Sequence, residues 1–258
     1  MDKRKINALS QLSIILDTDE FVIVGATALS FYFNSPPVTE DLDLSIAMDI
    51  DDLPMLLKKL PSWRGTSIQH RFISTEDLRI DLLPVGPKAL AANEIKWPES
   101  GERLNLIGFR LVFENPNHFE IADGLTVQVA SVPVIALLKF IAYADRPAER
   151  RKDLRDLVFI LENYIDVTDE RRWSDEAMMH SLDFDETTWF VCGLETGGLV
   201  NNEERNSFDR FAEMVKDEND TCGTQAQMLR YCPASFNDDP EELMRRFEAF
   251  CLGFRSST

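Results

Sequence analysis

Four consecutive apolar residues, Phe21 to Val24, stop at Gly25 and read as a buried strand closed by a glycine turn. Residues 27–33 then have the pattern of a short helix. A loop with Pro36 and Pro37 follows, and Asp41-Leu42-Asp43-Leu44 alternates polar with apolar, as a half-buried strand does. Ahead of this block, Ile6, Leu9, Leu12, Ile15 and Leu16 recur at helical spacing over 4–16. Behind it the pattern predicts a helix over 49–60, strands over 67–74 and 78–83, and a helix over 88–95. Residues 104–130 predict two or three further strands, with turns at Asn115-Pro116-Asn117 and Asp123-Gly124.

From Ser131 the period changes. Ser131 suits an N-cap with Pro133 near the helix start, and Val134, Leu137, Leu138 and Ile141 form one apolar face over 132–144. A second helix over 149–164 buries Leu154, Leu157, Val158 and Leu161, with Asp153 at the edge of that stripe. Beyond Asp166 the chain is helical, acidic and loop-rich, with helices expected over 203–218, 224–231 and 240–254. The change of texture predicts an α+β core over 1–130 and a helical C-terminal region over 131–258.

Composition narrows the class. A hydrophobic fraction of 44% in 258 residues supports a globular core. The N-terminus lacks the long apolar stretch of a signal peptide, and no run reaches the roughly 18 apolar residues of a membrane span. Four cysteines without C-x-x-C spacing suggest neither zinc nor a disulfide framework, which points to a reduced, cytoplasmic protein. The net charge of −18 argues against a broad nucleic-acid-binding face. From Asp166 onward, 21 acidic residues face 9 basic ones, so the local basic patch Arg146, Arg150, Arg151, Lys152 and Arg155 is the best candidate for a phosphate contact. Gly193, Gly197 and Gly198 follow no convincing strand, so no dinucleotide site is expected. His70, His118 and His180 are scattered, and Phe184, Trp189 and Phe190 read as helical core.

The chemistry concentrates in three aspartates. Asp41 and Asp43 project from one strand face, one pleat repeat apart. Paired carboxylates repel unless a cation lies between them. Asp81 interrupts an apolar strand, where an unpartnered carboxylate is costly. Each aspartate alone also reads as a strand-end or turn residue. If the two strands are neighbours, the three carboxylates suit Mg²⁺ or Mn²⁺ bridging a nucleoside triphosphate. Asp81 could instead act as the base for an acceptor hydroxyl.

Taken together, Gly25-Ala26-Thr27-Ala28-Leu29, Thr39-Glu40-Asp41-Leu42-Asp43-Leu44 and Arg79-Ile80-Asp81-Leu82 resemble the core of the DNA-polymerase-β-like nucleotidyltransferases. The closest resemblance is to the AbiEii-type toxins, over roughly residues 20–162, with Lys139, Arg146 and Arg151-Lys152-Asp153-Leu154-Arg155-Asp156 completing the pattern. The resemblance implies a mixed sheet flanked by helices, with 131–165 completing the active site. It implies transfer of NMP from an NTP to an acceptor hydroxyl, with Asp41, Asp43 and Asp81 catalytic and metal-binding. Gly25, Thr27, Lys139, Arg146 and Asp153 would contact or support the nucleotide. It further implies a toxin of a toxin–antitoxin or phage-defence pair, an antitoxin partner, and the 3′ end of tRNA as one candidate acceptor. A small molecule or a protein hydroxyl is another, and an inactive scaffold that binds a nucleotide or protein is the alternative from a different class. Two departures stand out: Ala26 replaces the usual second glycine, and no basic residue lies in 35–38, just ahead of Thr39-Glu40-Asp41.

Overall fold

A computed structural model describes residues 1–217, 219–236 and 239–257. Glu218, the end of one expected helix, and Thr258 lie outside it. The chain divides into two compact units, Met1–Ser131 and Val132–Thr258.

The first unit begins with α1 (Lys3–Ser13), capped by the Asp2 side chain, which accepts from the Arg4 N–H. Then come β1 (Phe21–Val24), α2 (Gly25–Leu29), β2 (Leu42–Ile46), α3 (Leu53–Lys58), β3 (Arg64–Gly65), β4 (Arg71–Ile73) and β5 (Arg79–Pro84). After α4 (Pro87–Ala92), β6 (Glu94–Lys96) pairs with β7 (Arg103–Asn105) as a separate ribbon; α5 (Arg110–Glu114), β8 (Pro116–Ala122) and β9 (Leu125–Ala130) complete the unit. The main sheet is mixed, in the order β3-β4-β5-β2-β1-β9-β8. Strand β1 lies inside the sheet, antiparallel to β2 and parallel to β9, and all four of its residues are buried. A strand covered on both faces reads as a continuous apolar run, which explains Phe21 to Val24.

Several expected bounds move. The helix after Gly25 begins at Gly25 itself, two residues early, and stops at Leu29. The helix expected over 49–60 splits into a 3-10 turn at Ile50–Asp52 and α3, because Pro54 fits only the first turn of a helix. Residues 110–114, expected as strand, form α5.

The second unit contains α6 (Val132–Asp145), α7 (Arg151–Asn163), α8 (Asp175–Met179), α9 (Phe184–Gly197), α10 (Asn202–Lys216), α11 (Thr224–Leu229) and α12 (Pro240–Ser256). Phe140 stacks on Phe211 with ring centroids 5.6 Å apart, and Phe208 stacks on Phe254 at 3.7 Å. Trp189 and Phe190 are fully buried, while Phe184 is half exposed beneath the Arg172 guanidinium. Helices α9 and α12 touch backbone to backbone. A Cβ on Gly193 would strike the Phe250 carbonyl, one on Gly197 that of Phe254, and one on Gly253 that of Phe190. No described helix is long and apolar enough to cross a membrane.

Candidate active site

The site residues of the first unit lie where β1, β2 and β5 present one face. Leu42, Leu44, Ile80 and Leu82 are completely buried on the opposite face, so the strand period turns Asp41, Asp43, Arg79 and Asp81 the other way. The register makes this a row. Val24 pairs with Asp43, Asp43 with Asp81 across parallel strands, and Asp81 with Arg71 across the antiparallel edge. Two carboxylates are thereby held side by side at the level of the glycine turn.

Gly25 has φ +66°, a region that disfavours any side chain, and a Cβ there would collide with the Asp43 carboxylate. The turn is therefore glycine for two reasons, one of which is the carboxylate itself. Thr27 is buried; its hydroxyl donates to the Asp41 carbonyl at 2.6 Å and accepts from Lys5 Nζ at 3.0 Å. Lys5 also donates to the Thr39 carbonyl at 3.1 Å. Lys5, Thr27 and Thr39 thus clamp the backbone that delivers Asp41 and Asp43. Burial pushes the Lys5 ammonium below its ordinary range, against the opposing pull of Asp43, Asp2 and Asp41.

Two arginines share the row. Arg71 donates to both oxygens of Asp81, from Nε at 2.8 Å and from the terminal nitrogen at 2.7 Å. Arg79 Nε lies 2.8 Å from Asp41 Oδ1, yet that oxygen is buried and accepts no hydrogen bond. A buried carboxylate oxygen without a donor is expensive and suits a ligand. Hard carboxylate oxygens are the donors that Mg²⁺ and Mn²⁺ take, so Asp41 and Asp43 fit such an ion by chemistry. Asp81 has both oxygens in the grip of Arg71. Among the described residues, no group of three or more His, Cys, Asp or Glu side chains is arranged to hold a metal ion.

The remaining expected residues belong to the second unit. Lys139 donates to Asp153 Oδ1 at 2.8 Å and to Asp156 Oδ2 at 2.6 Å, and all three are buried or nearly so. Arg150 pairs with the other oxygen of Asp153, and Arg155 donates to the other oxygen of Asp156. Burial pulls the Lys139 ammonium down, but the two carboxylates outweigh it and its pKa is raised. Arg146 lies near Asp145 and Glu149, at 3.6 and 3.9 Å. Arg151 and Lys152 are exposed on the same segment.

Lys5, Arg71, Arg79 and Asp156 were not among the expected site residues. Arg79 carries a sequence signal, since it stands two residues before Asp81 and so shares its face. Arg71 carries none without the β4–β5 register, and Lys5 is one of three basic residues on an amphipathic helix.

A glycine turn beside a strand that carries Asp43 and follows directly on Asp41, with Asp81 in register on the neighbouring strand, is consistent with the nucleotidyltransferase class. The particular family follows from a family model, "Nucleotidyl transferase AbiEii toxin, Type IV TA system", which matches residues 7–255. The chain belongs to this AbiEii nucleotidyltransferase toxin family. Among solved structures it is similar to an antigenic nucleotidyltransferase-like protein from Paracoccidioides brasiliensis, at 17% identity and TM-score 0.39, over 60% of this chain and 72% of that one. It is also similar to JHP933 from Helicobacter pylori, at 14% identity and TM-score 0.27, over 83% of this chain and 96% of the other. No curated protein matches the chain.

Proposed function

We propose that the protein transfers a nucleoside monophosphate from an NTP to an acceptor hydroxyl, with pyrophosphate leaving, in a reaction that needs Mg²⁺ or Mn²⁺. The observation that carries this reading is the row itself: Asp43 and Asp81 in register, Asp41 on the same face, and Gly25 pressed against the Asp43 carboxylate. A divalent cation supplies charge neutralisation at the phosphates and orients the attacking hydroxyl. Asp41 and Asp43 are the ligands of choice. Gly25 leaves room for the carboxylate at the turn, and Thr27 with Lys5 fixes the backbone beneath it. Asp81, once free of Arg71, is placed on the same row to ligate or to accept the acceptor proton.

Family membership supports the setting of a type IV toxin–antitoxin pair, with an antitoxin as partner, and the proposal extends this to phage defence. The acceptor we favour is a tRNA 3′ end. The exposed Arg151 and Lys152 support a small footprint on phosphate, since the overall charge of −18 opposes a large one. A second reading, a scaffold that binds without turnover, is favoured by the two-pronged hold of Arg71 on Asp81.

The test incubates the purified protein with Mg²⁺, each labelled NTP and total tRNA, beside Asp43→Ala. Label that appears on tRNA and vanishes in the variant supports the transfer. Binding of NTP with no transfer to tRNA, small molecules or protein would favour the scaffold.

A further inference from the structure

The acidic row is not vacant of positive charge. Arg71 holds both oxygens of Asp81, and Arg79 lies against Asp41 without a hydrogen bond to its buried Oδ1. Both guanidiniums occupy the side of the sheet from which a cation and a triphosphate would approach. Arg79 is nearly half exposed and Arg71 about a quarter, so both have somewhere to go. The loop ahead of Asp41 lacks a basic residue, and the Lys5 ammonium is committed to Thr27 and Thr39. A triphosphate brought to this row by its metal still needs donors, and a guanidinium fork matches phosphate oxygens in pairs.

Resting on the reading above, we propose that Arg71 and Arg79 are counter-ions that exchange partners: they neutralise Asp81 and Asp41 before metal binds, and release them to bind the triphosphate when a divalent cation takes over the carboxylates. Two consequences of opposite sign follow. Each arginine competes with the metal, so removing it tightens metal binding. Each also grips the nucleotide, so removing it weakens nucleotide binding. An arginine that only braces the strands would loosen both when removed.

The experiment titrates Mn²⁺ alone into the wild type, Arg71→Gln and Arg79→Gln by calorimetry, with folding checked by circular dichroism. Mn²⁺ affinity is expected to rise about tenfold in Arg71→Gln, where a two-pronged pair is lost, and about threefold in Arg79→Gln. With Mn²⁺ saturating, each of the four NTPs is then titrated, and the NTP that binds the wild type is expected to bind each variant about tenfold more weakly. Unchanged or weaker Mn²⁺ affinity in a folded variant overturns the exchange, as does unchanged NTP affinity. Should a Gln variant not fold, Arg71→Lys decides: it keeps the charge and loses the fork, so Mn²⁺ affinity stays near wild type while NTP binding weakens, and unchanged NTP binding overturns the proposal. A wild type that binds neither Mn²⁺ nor NTP removes the transferase reading as well. A wild type that transfers NMP, with no opposed shifts in the variants, removes only the exchange.

Discussion

Each unit holds a cluster of aspartates and cations, and the two are built to opposite standards. In the second unit, Asp153 and Asp156 meet Lys139, Arg150 and Arg155, and all four carboxylate oxygens have a partner. In the first, Asp41, Asp43 and Asp81 share a sheet face with Arg71 and Arg79; the three carboxylates are partly exposed, and Asp41 keeps a buried oxygen without a hydrogen bond. Burying charge is tolerable only when the polar groups around it are satisfied. The second cluster meets that condition and holds helices α6 and α7 together. The first does not, and this shortfall is what a site ready for a ligand looks like.

The sharpest way to break the contrast is Asp43→Ala. It should lower the proposed nucleotidyl transfer by at least about a thousandfold, since a carboxylate proposed to hold the metal contributes several kcal/mol to the transition state. Stability should change little, because one of two neighbouring like charges is gone. Transfer assays beside urea melts check both halves. Lys139→Met should do the reverse, costing about 3 kcal/mol of stability as two buried carboxylates lose their shared ammonium. Chemical denaturation measures it, and a variant of normal stability that has lost NTP binding would reassign Lys139 to the substrate. Gly253→Ala leaves both clusters intact and should cost about 1–3 kcal/mol, since its methyl meets the Phe190 carbonyl. A calorimetric melt reads that change, and an unshifted melt would mean that α9 and α12 part more readily than their contact suggests.

The smallest effect is in the pH dependence, and the two lysines differ in sign. The Lys139 pKa is raised above 10.5, so its stabilisation is present below that value and fades as pH rises through the folded-state pKa. The Lys5 pKa is lowered from 10.5, so the native state releases that proton first and its contribution improves as pH climbs towards 10.5. Urea midpoints from about pH 8 to pH 11 should fall less steeply in Lys139→Met than in the wild type, and more steeply in Lys5→Met.

How much of this could be read in the chain depends on whether a residue obeys the period of its own element. Strand β1, the glycine turn and the Asp41–Asp43 pair obey it, and so do α6, α7 and α12. Helix α9 is legible only as helical core around Trp189 and Phe190, without bounds, because Gly193 and Gly197 lower local helix propensity while serving close packing on a helix far away in sequence. Asp153 reads as a stripe edge but is buried, since its partner Lys139 comes from the preceding helix. Membership of the acidic row was half legible. Asp81 and Arg79 share a face by count, whereas Arg71 joins only through the pairing of β4 with β5.

Lys5 carries a consequence for the whole first unit. It ties the opening turn of α1 to Thr27 and to the Thr39 carbonyl, so the geometry at Asp41 and Asp43 is anchored within a few residues of Met1. A protease that trimmed this short stretch would leave every aspartate in place and still unfasten the loop that presents them. Cleavage between Lys5 and Thr27 is thus a way to disturb the acidic row without any change to its aspartates.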